Sequence, residues 1–151
     1  MRQDGHRQCV ECQRIFYSDP KLAVAAIIPY RSGLVLVRRG IEPAYGEWSF
    51  PSGYVNRGEV VEKAVEREVL EETGLQVEAQ WLVGLYSRPE SPVVLGVYHA
   101  IVLGGELIAG EETLESSVFG IAGMPELAFE YDTRIVDDWQ VGTRLRGTAV
   151  F

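Results

Sequence analysis

Hydrophobic and polar positions follow two periods along the chain, and the shorter period predicts strands. Apolar runs at residues 21–30 and 33–39 predict two strands joined in a hairpin by the turn sequence YRSG. The runs LQVEAQWLVGLYS, at 75–87, and VVLGVYHAIVL, at 93–103, also predict strands. The segment EETLESSVFGIA, at 111–122, indicates a loop that enters a short strand.

The helical period marks two further segments. Residues 59–73 predict a helix that ends at Gly74, and residues 131–140 predict a second helix. Residues 40–58 contain two prolines, four glycines and four aromatic residues, which is typical of a loop. Because strands stand on both sides of a helix, we expect an α/β fold with a mixed β-sheet packed between helices.

Length and charge narrow the classes of function. A chain of 151 residues with 46% hydrophobic residues fits one domain, which we place at 21–145, with an N-terminal strap at 1–20 and a tail at 146–151. The net charge of -8 argues against a nucleic-acid or membrane surface. The apolar runs are too short or too interrupted by glycine to span a bilayer, and the first residues lack a signal-peptide core, so we expect a cytoplasmic location.

Three glutamates stand near the end of the first predicted helix, in the sequence REVLEETG. With about 100° of rotation per residue, Glu68, Glu71 and Glu72 project on the same side as the apolar stripe. That stripe consists of Val61, Ala64 and Val65. The opposite, solvent-facing side consists of Glu62, Lys63, Glu66 and Leu70.

Inward-facing acids at a helix C-terminus are unfavourable for stability. Like charges three and four residues apart repel, the helix dipole is negative at this end, and burial removes hydration. Such a cluster is therefore a candidate functional site, and a hard divalent cation that bridges to phosphate is the partner of the right charge. The alternative is that the helix is rotated slightly from this orientation, so that the three glutamates lie on the surface.

The residues around this cluster form a longer pattern. Gly53 is followed after five residues by Glu59, and after seven more by REVLEETGL. This spacing resembles the signature of the Nudix hydrolase family with every fixed position filled, and GEWSFPSGYVNRGE is similar to the segment that precedes that signature. The resemblance implies an α/β/α sandwich that hydrolyses a nucleoside diphosphate linked to another moiety. It also implies a Mg²⁺ cofactor, with Mn²⁺ as an alternative, and a homodimer.

The same resemblance assigns roles to individual positions. Glu68, Glu71 and Glu72 correspond to metal-binding or base positions, and the Gly53 carbonyl corresponds to a further metal ligand. Arg67 and Glu59 correspond to positions that orient the acids, as an arginine beside an ionised glutamate would do.

The identity of the general base stays open between the helix and a later loop. A divalent ion neutralises the diphosphate and orients a water, and a carboxylate takes the proton of that water. Glu68 or Glu72 would be that base. In some family members the base is a loop glutamate, for which Glu111, Glu112 and Glu115 are candidates here.

Two segments favour a particular substrate. RRGIEPAYGEWSFPSGYVNRGE and EETLESSVFGIAGMPELAF resemble plant chloroplast pyrophosphatases that cleave FAD and ADP-ribose, so we expect one of these substrates. Arg38 and Arg39 are candidates to bind phosphate. Trp48, Tyr86 and Tyr98 could stack on a flat ring, although aromatic residues in such positions also form cores. The alternatives are a nucleoside triphosphate-sanitising enzyme and a non-catalytic nucleotide-sensing module.

The two cysteines, Cys9 and Cys12, form a single C-x-x-C close to His6. The segment resembles the second half of a zinc ribbon that precedes the Nudix domain in some family members. Tetrahedral structural zinc needs four ligands and the first cysteine pair is missing, so we expect two free thiols and no bound zinc.

Overall fold

The computed structural model describes residues 5–147, in which ten strands and two α-helices form a two-stranded hairpin, two four-stranded β-sheets and two helical layers. The chain begins with a hairpin of β1 (Arg7–Gln8) and β2 (Ile15–Phe16). This hairpin pairs with neither of the two larger sheets.

The larger sheets are built from the remaining strands. One has the order β7-β3-β9-β8, where β3 and β9 are parallel and the other neighbours antiparallel. The other has the order β10-β5-β4, and β6 pairs with β5. The strands are β3 (Lys21–Ile27), β4 (Pro29–Tyr30), β5 (Gly33–Arg39), β6 (Trp48–Ser49), β7 (Ser52–Tyr54), β8 (Leu75–Tyr86), β9 (Val93–Gly105) and β10 (Thr113–Phe119).

Two helices cover opposite faces of the sheet that contains β3. Along β3, Ala23, Ala25 and Ile27 join the core beneath α2 (Asp132–Leu145). The alternate residues Val24 and Ala26 join the core beneath α1 (Val61–Thr73). Because successive side chains of a strand point to opposite faces, one buried strand supports both cores. The expected α/β/α sandwich with a mixed sheet between helices is confirmed.

Several element boundaries differ from the sequence-based expectation. The predicted hairpin at 21–39 exists only between β4 and β5, because β3 pairs with β7 and β9 in the other sheet. The segment 40–58, expected to be a loop, contains β6 and β7. The strand expected within 111–122 occupies the seven residues of β10.

The helices also differ at their ends. Helix α1 begins two residues later than predicted, at Val61, and α2 extends five residues further, to Leu145. Gly74 ends α1 as predicted: it has a φ of 74° and its N–H donates to the carbonyl of Leu70. Neither helix in residues 5–147 is long and apolar enough to cross a membrane.

Candidate active site

The C-terminal end of α1 is capped by the segment that follows β9. The carbonyl of Glu72 accepts hydrogen bonds from the Gly110 N–H (3.2 Å) and the Ser116 hydroxyl (3.1 Å), and the Thr73 carbonyl accepts one from the Ile108 N–H (2.8 Å). A side chain at Gly110 would overlap the backbone of Glu71, so the close approach requires glycine. These bonds satisfy helix carbonyls that would otherwise lack partners, and they bring Glu112 to the acidic end of α1.

A cavity of about 390 Å³ lies between this helix end and the start of α2. Its lining includes the acids Glu68, Glu72 and Glu112, together with Gly53. It also includes Arg39, Phe129, Tyr131 and Asp132. The cavity therefore combines several acidic groups with an arginine and aromatic rings.

Glu72 is the most strongly perturbed of these acids. Its Oε2 accepts a hydrogen bond from the Ser52 N–H at 3.0 Å. Burial raises the pKa of Glu72 to about 8, and the negative charges of Glu68 and Glu112 raise it further, whereas the Ser52 N–H and Arg39 lower it. Burial, the largest cause of this increase, and the neighbouring acids both disfavour the ionised form of Glu72, which a bound cation would favour.

Glu68 lies beside Glu72 and is only 14% exposed. Burial raises its pKa, and the Arg67 guanidinium, whose Nη1 lies 2.6 Å from Glu68 Oε1, opposes that increase. A Cβ atom at Gly53 would overlap the Glu68 carboxylate. The absence of a side chain at Gly53 therefore makes room for Glu68 and leaves the Gly53 backbone next to its oxygens.

Arg67 connects the helix to the turn that precedes it. Its Nε and Nη2 donate to the two oxygens of Glu59 at 2.7 and 3.0 Å, and Nη2 also donates to the Tyr54 carbonyl at 3.0 Å. These contacts raise the pKa of Arg67, and Arg67 with the Asn56 N–H holds the pKa of Glu59 at about 2. Glu59 and Arg67 thus form a permanently ionised bidentate pair that fixes the position of Glu68.

The expectation that all three helix glutamates face inward is wrong for Glu71. Its side chain is 59% exposed and lies 3.5 Å from Arg67 Nη1. Glu71 lies at the edge of the buried side of α1. Arg67, one helical turn earlier, draws its carboxylate toward solvent. Glu66, expected on the solvent face, is in fact only 22% exposed and pairs with Lys63.

The carboxylates of the cavity are the candidate ligands for a divalent cation. Among residues 5–147, no three His, Cys, Asp or Glu side chains converge as a preformed metal centre. Glu68 and Glu72 nevertheless offer hard oxygen donors in one cavity, where the negative charge of Glu112 acts on both. Burial first, and then repulsion between the acids, raises the pKa of both Glu68 and Glu72. This chemistry fits Mg²⁺ or Mn²⁺, because a cation would relieve that repulsion.

Of the candidate substrate residues, Arg39 lines the cavity, whereas Arg38, Trp48 and Tyr86 lie outside its lining. Arg38 is exposed and donates to the Gly46 carbonyl, at 2.9 Å. Trp48 packs edge-on against Phe119 in the core. Tyr86 is 3% exposed and donates its hydroxyl proton to Asp138 at 2.7 Å.

Tyr98 and the loop glutamates also differ in whether they line the cavity. Tyr98 lies outside the lining, with its hydroxyl 3.4 Å from Glu62. Glu112 lines the cavity. Glu111 and Glu115 do not, and Glu115 stands opposite Arg38 in the β10–β5 ladder.

Sequence reasoning missed the wall formed by Phe129, Tyr131 and Asp132. These residues precede and begin α2, and backbone contacts of the neighbouring Leu127 and Ala128 with Trp48 tie the segment to β6. The only sequence signal was an acid at a helix start, which is common in structural N-termini.

The N-terminal cysteines lie in the turn between β1 and β2. The Cys9 N–H donates to the Arg14 carbonyl at 2.9 Å, and the Gln13 N–H donates to the Cys9 carbonyl at 3.0 Å. Hydrogen bonds from the backbone of Cys12 and Glu11, and from the Cys12 thiol, lower the pKa of Cys9. The turn therefore presents two neighbouring thiols, one half-buried and one exposed.

Comparison with known proteins gives the family. The NUDIX domain model matches residues 19–134, and the chain belongs to the Nudix hydrolase family. It is an enzyme of that family, whose members generally use a divalent metal and act on small nucleotide substrates.

Several relatives and solved structures are similar to this chain. The ADP-ribose pyrophosphatase of Methanocaldococcus jannaschii is 38% identical over 125 residues, which are 80% of this chain and 74% of that protein. The NAD-capped RNA hydrolase NudC of Pseudomonas aeruginosa is 28% identical over 130 residues, 84% of this chain, but this chain spans only 47% of NudC. The crystal structure of a NUDIX hydrolase from Nitrosomonas europaea superposes with a TM-score of 0.82 at 29% identity, covering 95% of this chain and 82% of that one.

Proposed function

We propose that this enzyme hydrolyses the diphosphate bond of ADP-ribose with the help of Mg²⁺. The observation that carries the proposal is the cavity that Glu68, Glu72 and Glu112 line together with Arg39. Acids that hold a cation and an arginine that binds phosphate oxygens together match a dianionic diphosphate. The similarity to the ADP-ribose pyrophosphatase of M. jannaschii supports ADP-ribose as the substrate.

The proposed reaction breaks one phosphorus–oxygen bond. The oxygen of a water attacks one phosphorus, the bond to the bridging oxygen breaks, and AMP and ribose 5-phosphate leave. A carboxylate accepts the proton of the water. Bound Mg²⁺ would neutralise the diphosphate and orient that water.

Each residue of the site has a separate role in the proposed reaction. Glu68 and Glu72 would hold the metal with the Gly53 carbonyl, and Glu71 would join only if its exposed side chain turned inward. Arg67 and Glu59 hold Glu68 in place. Glu112 becomes the favoured base, because it lines the cavity and comes from a different segment than the two helix acids. Glu68 or Glu72 would be the base if Glu112 proves dispensable.

A substrate panel tests this function. ADP-ribose, FAD, NADH and nucleoside triphosphates are assayed with Mg²⁺ and with Mn²⁺, and the products are identified. We expect AMP with ribose 5-phosphate from ADP-ribose, and AMP with FMN from FAD if the plant-like segments indicate a second substrate. Glu72→Gln, purified in the same way, controls for contaminating hydrolases. A kcat/KM that favours a triphosphate over both ADP-ribose and FAD would refute the assignment and favour the sanitising alternative.

Pairing of two chains stays a prediction from the family resemblance. Strand β8 is an edge strand and exposes Leu82 and Leu85, 43% and 62% accessible, which is apolar surface that a second chain could cover. Light scattering on the purified protein measures the mass directly. The domain boundaries and the cytoplasmic location are likewise predictions.

A further inference from the structure

Arg39 carries a positive charge in the cavity, yet no ion pair described in residues 5–147 includes it. Its Nε donates to the Pro43 carbonyl at 2.7 Å. Its guanidinium carbon lies 5.2 Å from the centre of the Phe129 ring, within the range of a cation–π contact. The charge of Arg39 acts on Glu72 and Asp132, since it lowers the pKa of both.

Phe129 is itself fixed from two sides. Its N–H donates to Asp132 Oδ2 at 2.9 Å, and its carbonyl accepts the Asp132 N–H at 3.0 Å, which closes the turn at the start of α2. On the side of Tyr131, the two rings are stacked with centres 6.5 Å apart. Asp132 is only 3% exposed, so this turn is anchored in the interior while Phe129 remains at the cavity wall.

The Arg39 guanidinium thus lies beside a ring whose own position is fixed. A cation beside buried carboxylates is drawn toward them, and an ion pair between Arg39 and Glu72 would occupy the acid that the metal needs. The Phe129 ring offers the guanidinium a different resting place, 5.2 Å from the ring centre. Apart from Nε, which donates to Pro43, the guanidinium N–H groups make no hydrogen bond described in residues 5–147, so an incoming phosphate can accept from them.

We propose that Phe129 is a positioning residue for substrate binding: its ring holds the Arg39 guanidinium, in the cavity that Glu68 and Glu72 also line, as a binding group for the diphosphate. This inference rests on the proposed function, because it takes Arg39 as the group that binds the diphosphate. Phe129 acts through Arg39 and does not itself contact the reacting atoms.

A double-mutant cycle tests the proposal. Phe129→Leu removes the ring face, Arg39→Gln removes the cation, and the double variant removes both. We expect Phe129→Leu to raise KM for ADP-ribose about 2- to 30-fold, the range that a cation–π contact supports, with kcat changed less than KM. In the Arg39→Gln background, Phe129→Leu should add no further loss, because the group it positions is gone.

Two other variants separate a positioning role from a general structural one. Phe129→Tyr keeps the ring face and should restore KM to within about twofold of the wild type. Phe16→Leu removes a ring under another arginine, Arg14, at 5.8 Å in the N-terminal hairpin, and should leave KM and kcat unchanged. If Phe129→Leu fails to fold, as judged by circular dichroism, Phe129→Met supplies similar volume without an aromatic face.

Three results would overturn the inference. One is an unchanged KM in the folded variant that lacks the ring. Another is an equal loss in both Arg39 backgrounds, which would mean that Phe129 contacts the substrate itself. The third is a Phe129→Tyr variant whose KM is raised as much as that of Phe129→Leu.

The same cycle is measured on binding of ADP with Mg²⁺ by calorimetry, which requires no turnover. A wild-type protein that binds ADP and shows the cycle, but does not hydrolyse ADP-ribose, would refute the proposed reaction and leave this inference standing. A wild-type protein that hydrolyses ADP-ribose but shows no coupling between Phe129 and Arg39 would refute this inference and leave the proposed reaction standing.

Discussion

The carboxylate of Glu68 lies against the α-carbon of Gly53 so closely that a methyl group on Gly53 would overlap it. Gly53 pairs with Val24 of β3, so its backbone cannot retreat without breaking the sheet. We therefore expect Gly53→Ala to displace Glu68 and to lower kcat on the order of a hundredfold, since a displacement of about 1 Å can cost that much. Steady-state kinetics with ADP-ribose measures the effect.

Gly120→Ala is the matched control for that substitution. Gly120 has an ordinary φ of -63°, and nothing lies within 4 Å of the Cβ that alanine would add. It should keep wild-type kcat and melting temperature. An active Gly53→Ala enzyme would show that the position of Glu68 does not limit the reaction.

The raised pKa of Glu72 makes the stability of the metal-free protein depend on pH. Because its pKa is about 8 when folded and near 4.5 when unfolded, the folded state holds the proton more tightly. The associated stability is complete below pH 4.5 and is lost as the pH rises through 8. Glu72→Gln has no such loss, so without metal it should be more stable than the wild type at pH 8 by about 1 kcal/mol or more, with the difference vanishing near pH 4.

Urea denaturation in the presence of a chelator, repeated across this pH range, measures that difference. Glu126→Gln makes the same charge change at an exposed position and should follow the wild-type profile. A Glu72→Gln profile parallel to the wild type would mean that folding does not shift the pKa of Glu72.

The sequence predicted the parts of this site that depend on local structure. Gly74 ends α1 because only a residue that tolerates positive φ fits there, and the rotation per residue places Glu68 and Glu72 on the buried side. The inward position predicted for Glu71 was wrong because the rotation per residue gives only the direction in which a side chain leaves the helix. Glu71 leaves α1 at the edge of its buried side, where the contact with Arg67 draws the carboxylate outward.

The parts that sequence could not predict depend on contacts between distant segments. Arg39 meets Phe129 only because backbone contacts with Trp48 bring the segment before α2 to β6. Similarly, Glu112 could not be separated from Glu115 in the sequence, because the distinction comes from the hydrogen bonds that tie Gly110 and Ser116 to Glu72.

Metal binding should stabilise the wild type and not the variants of its proposed ligands. A ligand that binds only the folded state adds RT ln(1 + [L]/Kd), which is about 2.7 kcal/mol at a hundredfold excess over Kd. We expect Mg²⁺ to raise the melting temperature of the wild type. In Glu68→Gln and Glu72→Gln, most of this increase should be absent. Retained stabilisation in both variants would place the metal elsewhere.

The N-terminal thiols should be dispensable for hydrolysis. Cys9 and Cys12 lie in the β1–β2 turn, and neither lines the cavity. We expect the Cys9→Ser, Cys12→Ser double variant to keep wild-type kcat/KM and the purified protein to hold less than one zinc per chain. Elemental analysis that finds one tightly held zinc per chain, lost in the double variant, would contradict this and indicate ligands from a second chain.

The general base can be identified by comparing two glutamates of the same segment. Glu112 lines the cavity and its charge acts on Glu68 and Glu72, whereas Glu115 stands outside the lining, beside Arg38. If Glu112 takes the proton of the attacking water, Glu112→Gln should lower kcat by about 10²- to 10⁴-fold with little change in KM. Glu115→Gln should retain wild-type kcat. The stabilisation by Mg²⁺ should persist in Glu112→Gln, which separates a lost base from a lost metal ligand. An active Glu112→Gln enzyme would return the role of base to Glu68 or Glu72.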